Sequence, residues 1–113
     1  MHVEAILGAG PLTTSTNNAA ALASFQKVRD RAGLTTVATA VTKEELLLER
    51  RVELAFENQR YFDLKRFDVL DAFLSAHSTE MGYVYDPRQA SFLPIPAREI
   101  NISGGLLTQN PGY

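Results

Sequence analysis

The sequence predicts a mainly α protein, with helix pairs over residues 1–76 and an irregular, Pro/Gly-rich segment over 77–113. Three observations predict it. Apolar residues recur at three- and four-residue steps through the first two thirds. Thr42-Lys-Glu-Glu45 forms a capping box, in which a hydroxyl and a carboxylate satisfy each other's backbone amides at a helix start. The last third is punctuated by Pro87, Pro94, Pro96, Gly104, Gly105, Pro111 and Gly112. A chain of 113 residues fits one domain and is short for two cores.

Taken in order, Met1 to Gly10 reads as the end of a helix entered in mid-pattern, and so as a truncated segment. Val3, Ala5, Ile6 and Leu7 propagate it, and Gly8, Gly10 and Pro11 stop it. Pro11 to Asn18 is a polar loop whose last residues can cap the next helix. That helix spans about Ala19 to Ala32. Its stripe is Ala21, Leu22, Phe25, Val28 and Ala32; Lys27, Arg29 and Arg31 suit its dipole, and Gly33 offers a left-handed end. Thr35 to Val41 is a β-branched linker. After the capping box a helix is expected to about Asn58, with Leu48, Val52, Ala55 and Phe56 facing the core and Leu47 and Leu54 widening the face. Following a break near Asn58 to Arg60, Tyr61 to Ala76 repeats the period with Phe62, Val69, Leu70, Phe73 and Leu74. Met81 to Tyr85 reads as a short strand. Ser91 to Pro96 is extended because each proline disfavours helix at the residue before it. Ala97 to Ile100 makes a helical turn, and Phe92/Leu93 with Leu106/Leu107 pin the tail onto the helices.

Composition excludes several function classes. Hydrophobic residues at 45% and charged residues at 21% place the chain among globular proteins. A net charge of −2 supplies no basic face for nucleic acid. No apolar run reaches the ~20 residues that span a bilayer, and Met1 to Gly10 lacks the pattern of a signal peptide. The absence of cysteine removes disulfides, thiolate nucleophiles and Cys-based zinc sites. Two histidines, His2 and His77, are few for a metal site, and His77 reads as a solvated residue near a helix end.

Three constellations carry possible chemistry. Glu45, Glu49, Glu53 and Glu57 stand at four-residue steps, a ladder of like charges that a helix tolerates only if it is neutralised. A di-metal bundle would need Glu-x-x-His steps from partner helices, which are absent. Glycosidase carboxylates face one another across a cleft rather than along one helix. The expectation is therefore an internal ion-pair network, with Arg50, Glu53, Arg60, Asp63 and Arg66 as members and Arg29 and Arg31 arriving from a neighbouring helix. Arg60, Asp63 and Arg66 share three-residue spacing; their mixed signs favour that network over a nucleic-acid stripe. Phe56 and Phe62 are expected in the core. Tyr83, Tyr85 and Tyr113 are weak candidates for a sugar-binding platform, with Tyr83 and Tyr85 sharing a face if they lie on a strand. Gly8-Ala-Gly10 is a lone GxG without a preceding strand, and no histidine sits in a setting that suggests a triad. No catalytic residue, metal ligand or cofactor is expected.

Three blocks, in this order and at these gaps, resemble one family. Ala20-Ala-Leu-Ala-Ser-Phe-Gln-Lys-Val-Arg-Asp-Arg-Ala-Gly-Leu34 is similar to its helix ending in V-R-x-R-A-G-L. Glu49-Arg-Arg-Val-Glu-Leu-Ala-Phe-Glu-Asn-Gln-Arg-Tyr-Phe-Asp-Leu-Lys-Arg66 resembles its E-R-R-x-E-L-A-F-E-G-x-R-x-x-D-L-x-R block, with Asn58 in place of the usual glycine. Phe92-Leu-Pro-Ile-Pro96, Glu99-Ile100 and Leu107-Thr-Gln-Asn-Pro-Gly-Tyr113 resemble its terminal segments. The family is SusD/RagB, the starch-binding-like outer-membrane lipoproteins, and the resemblance runs from about Ala20 to Tyr113. It implies that residues 1–113 are the C-terminal part of a longer domain with tetratricopeptide-like helix pairs. It implies surface exposure at the outer membrane through a lipid-bearing N-terminal cysteine that these residues do not include. It further implies a non-catalytic role: binding oligosaccharide or another nutrient and passing it to a TonB-dependent SusC-like transporter. No ligand-contact residue of the family transfers to this chain. The competing expectation is a helical-repeat protein-interaction module without carbohydrate binding. Apolar faces left uncovered by absent helices also make self-association an expectation.

Overall fold

The computed structural model describes residues 2–90 and 92–113 and is mainly α, as expected. The chain divides into two compact units, Met1–Asp63 and Leu64–Tyr113. The elements are α1 (His2–Leu7), β1 (Ser15–Thr16), α2 (Ala19–Arg31), β2 (Val41–Thr42), α3 (Lys43–Glu53), α4 (Arg60–Arg66) and α5 (Leu70–Met81), then a 3₁₀ turn (Pro87–Ala90) and α6 (Ala97–Ile102).

In the first unit, α1 packs against both α2 and α3, burying Val3 and Leu7 with Ala21, Phe25, Val41, Leu46 and Leu47. Both longer helices are closed at their starts by side chains. The Asn18 carboxamide oxygen accepts from the Ala20 and Ala21 amides at 3.0 and 3.1 Å. Helix α2 ends in a Schellman motif: Gly33, at φ +77°, donates to Asp30 O at 3.0 Å, and Leu34 N donates to Arg29 O at 2.8 Å.

The start of α3 leaves none of its leading amides orphaned. Lys43 N donates to Thr14 O (2.9 Å) and Glu44 N to Leu12 O (3.1 Å). Glu45 N donates to Thr42 Oγ1 (3.1 Å), and Thr42 N donates back to the Glu45 carboxylate (2.7 Å), so the capping box forms. The loop expected over 11–18 thus becomes a structural strap. It pairs antiparallel with the residues before α3, Ser15 opposite Thr42 and Thr16 opposite Val41. Buried Lys43 ties its Nζ to Gly10 O at 3.0 Å.

The expected course of α3 needs correction. The helix ends at Glu53, not near Asn58, and Phe56 and Asn58 follow with φ +67° and +57°. Its expected core face points outward: Leu48, Val52 and Phe56 are 58%, 72% and 103% exposed. The helix buries Leu47, as expected, together with Lys43 and Leu46, which were not expected on the core face. Three consecutive leucines allow either face by period alone, and contact with α1 and the strap selects Leu46 and Leu47 over Leu48. Phe62, also expected in the core, is 57% exposed.

In the second unit the expected single helix over 61–76 is divided. Asp68 turns the chain at φ +58°, with Val69 N donating to Leu64 O at 2.9 Å, and Leu64, Phe67 and Leu70 are buried. Helix α5 then continues to Met81 and closes on left-handed Gly82. The predicted strand from Met81 to Tyr85 does not form, because Gly82 is a helix terminus there: Tyr83 N donates back to Ser78 O at 3.2 Å. His77 is half-buried rather than solvated, its Nδ1 donating to Phe73 O (2.8 Å) and its ring stacked on that of Phe73. Residues 92–96 lack regular structure, as the prolines require, while Ser91 lies outside the described residues.

The tail is not pinned by its apolar pairs, since Phe92, Leu93, Leu106 and Leu107 are all exposed. Side-chain amides do the pinning. Proline nitrogens at 94 and 96 carry no hydrogen, so Ile95 supplies the amide donor of that short run. Gln109 reads both of its backbone groups: Ile95 N donates to Oε1 (2.8 Å), and Nε2 donates to Ile95 O (2.9 Å). Asn110 Nδ2 donates to Leu93 O (2.7 Å), and Gln89 Nε2 donates to Gly112 O (2.8 Å).

Candidate functional site

The acidic ladder is dismantled: three of its members are engaged by three different residues, and the fourth lies outside the helix. Glu45 is turned back into the capping box, and its carboxyl is held below the ordinary carboxylate range, chiefly by the Thr42 amide and then the Thr42 hydroxyl. Glu49 pairs with Arg29 at 3.1 Å and Glu53 pairs with Arg31, joining α3 to the last turns of α2. Glu57 lies beyond the helix end, in the exposed turn.

Of the expected ion-pair residues, Arg50 and Asp63 are brought together across the turn after α3. Arg50 Nε donates to Asp63 Oδ2 at 3.0 Å, and Nη2 lies 3.0 Å from Oδ1, a two-point fork on a carboxylate that is 1% exposed. Arg50 therefore engages Asp63, thirteen residues on, rather than Glu53. Arg60 reaches Leu47 O weakly, at 3.4 Å. Burial, and then the charge of Arg51, depress the Arg60 pKa, with Asp63 opposing. Arg66, in the second unit, lies over the Phe67 ring at 5.7 Å.

Tyr83 and Tyr85 do not lie on a strand. Tyr83 is exposed; Tyr85 is half-buried and donates from its hydroxyl to Asp71 at 2.8 Å. Burial and that carboxylate push its phenol pKa well up. Without a strand, the two rings have no shared face to inherit, and Tyr113 is exposed at the end of the chain.

Two cavities of the first unit are lined by residues of α3 and the turn after it. One, of about 160 Å³, is lined by His2, Phe25, Val28 and Leu46 among others, with Glu49 and Glu53 at its polar side. Another, of about 430 Å³, is lined by Arg50, Arg51, Phe56, Asn58, Gln59 and Arg60, with Asp63. Neither was legible in the linear sequence, because both depend on where α3 ends.

A histidine–serine contact was also missed: His2 Nδ1 lies 2.7 Å from Ser24 Oγ. Ser24 already donates its single hydroxyl proton to Ala20 O at 2.9 Å, so the imidazole is the donor to Oγ. A general base would have to accept that proton instead. The contact is a helix-to-helix link. Among the described residues, no group of three His, Cys, Asp or Glu side chains is placed to hold a metal.

A mainly α scaffold whose charged motif residues bind one another is the class of protein defined by this geometry. The chain belongs to the SusD family, whose model matches residues 1–113. It is similar to SusD-like protein P2 of Formosa agariphila, at 27% identity over 110 residues, covering 88% of this chain. The chain spans 22% of that relative's length. No solved structure matches. No helix among the described residues is long and apolar enough to cross a membrane.

Proposed function

We propose that this chain is the C-terminal part of a non-catalytic, cell-surface nutrient-binding protein. The whole protein captures oligosaccharide or a similar nutrient and delivers it to a TonB-dependent SusC-like transporter. It is held at the outer membrane by a lipid anchor on an N-terminal segment outside these residues.

The observation that carries this reading is the family match over 1–113, together with the fate of the motif residues. Arg29, Glu49, Arg50 and Asp63 spend their charges on each other, and Gln109 and Asn110 spend their amides on the Leu93–Ile95 backbone. Residues so engaged serve as scaffold, which leaves ligand selection to other parts of a longer chain. The test is polysaccharide retention by the full-length protein in affinity gels, with co-purification of its transporter from outer membranes. Retention without hydrolysis supports the proposal; release of reducing sugar by the purified protein overturns its non-catalytic part.

A second reading has one observation in its favour. Leu48, Val52 and Phe56 present apolar side chains to solvent around the end of α3, a surface suited to a helical-repeat interaction module. Capture of a protein partner by the full-length protein, with no polysaccharide retained, would favour it.

A further inference from the structure

Helix α3, within Met1–Asp63, carries two apolar faces. One packs Leu46 and Leu47 inward; the other is exposed. Along the exposed face run Glu44, Leu48, Arg51 and Val52, and Ala55 and Phe56 continue it past the helix end. The helical members stand at four- and seven-residue steps, so they form one stripe rather than scattered exposure. Contiguous exposed apolar side chains rimmed by charge mark an interaction surface.

The charges on the stripe say what covers it. Glu44 and Arg51 are seven residues apart, which on a helix is about two turns, with roughly 20° of drift and about 10 Å of rise. They therefore lie on the same side of the stripe, at its two ends, with Leu48 near the midpoint. A second identical helix laid antiparallel, with the two-fold axis beside Leu48, sets Glu44 of each copy opposite Arg51 of the other. Opposite signs meet twice, the two Leu48 side chains meet at the axis, and Val52 flanks them. A parallel pair in the same register would set like charge on like. The face is self-complementary in one orientation, as an isologous interface requires.

We propose that the exposed face of α3 is a homodimer surface, covered by a second copy of this chain in antiparallel alignment. Helices so packed lie roughly 8–10 Å apart, within reach of Glu and Arg side chains. Leu48 and Val52 supply the attraction, and the solvent-exposed Glu44–Arg51 pairs set orientation more than strength. Six residues per copy are far fewer than the roughly 20–30 of a standard interface, so the dimer is weak and concentration-dependent. The proposal goes beyond both readings of function, since it holds whether or not the full-length protein retains polysaccharide.

The test is sedimentation velocity on the 113-residue chain across a dilution series at low salt. The expected result is an average mass that rises with concentration from one chain toward two and stops there, because a two-fold pair is closed. Glu44→Arg and Arg51→Glu each weaken association about tenfold by setting like charges opposite one another. An equimolar mixture of these two variants recovers the parent's association, since each offers the sign the other needs. Leu48→Glu abolishes it. The proposal is overturned if the parent stays a single chain throughout, if mass grows past two chains, or if the mixture associates no better than either variant alone. Should a charge-reversal variant fold poorly by circular dichroism, Leu48→Glu and the parent series decide the matter. A single-chain mass for the full-length protein, with Leu48→Glu lowering its thermal midpoint, would assign the face to a segment of its own chain and overturn the second copy as its occupant.

Discussion

Removal of the Asp63 carboxylate is the perturbation with the largest expected effect. Asp63→Ala leaves the Arg50 guanidinium without the two oxygens it grips at 3.0 Å. Deleting one member of a buried ion pair destabilises by roughly 3–5 kcal/mol, because the survivor stays charged and poorly solvated. The Arg50 side chain retains 19% of its accessibility, so water relieves part of the penalty and the expected loss is about 3 kcal/mol. In urea, with a slope near 1 kcal/mol/M for a chain of this size, the midpoint falls by roughly 3 M. Arg50→Ala should be at least as damaging, since it strands a carboxylate that is 1% exposed, with Arg60's charge softening the blow. The double variant should cost far less than the sum of the two. Urea unfolding followed by circular dichroism on all four proteins gives the coupling energy, expected at about 2 kcal/mol. Additive single effects, with a coupling inside about 0.5 kcal/mol, would refute the internal-pair reasoning.

Other expectations follow from the local geometry. Glu45 has a depressed folded-state pKa, so the stability it contributes is present above its ordinary carboxylate range and fades as pH falls through the lower folded value. Glu45→Gln should therefore lower stability by about 0.5–1 kcal/mol at neutral pH, and the difference from the parent should vanish in acid titrations; a difference that persists there contradicts the assignment. Gly10→Ala should destabilise by about 1–3 kcal/mol, because at φ +141° a Cβ would stand 2.6 Å from Thr14 Oγ1, and an unchanged thermal midpoint would contradict it. Gln109→Ala should cost about 1–3 kcal/mol for two lost hydrogen bonds and accelerate amide exchange at Ile95, with no acceleration counting against the clasp.

Local chemistry was legible in the sequence wherever a short motif carries its own geometry. The Thr42/Glu45 box, the Gly33 helix end and the proline-extended run at 94–96 need only neighbours within a few residues. Facing and long-range pairing were less legible. Leu46, Leu47 and Leu48 are chemically alike, and only contact with α1 and the 10–16 strap selects the buried pair. The sequence names Arg50 and Asp63 as network members without pairing them; the early end of α3 at Glu53 and the turn through Phe56 and Asn58 bring the two together. Helix α5 absorbs Met81 because a left-handed glycine at 82 closes a helix as readily as it follows a strand. The Gln109 clasp carries no periodic signal at all, since it joins both polar atoms of one side-chain carboxamide to a backbone fourteen residues away.

The most direct measurement of whether the Arg and Glu residues of the family motif are scaffold uses the full-length protein with Arg29→Met and Glu49→Leu combined. That exchange replaces the 3.1 Å link between α2 and α3 with apolar side chains. Polysaccharide retention in affinity gels should match the parent, with thermal stability little changed. Loss of retention by a variant that still folds and melts as the parent does would show that these charges contact ligand.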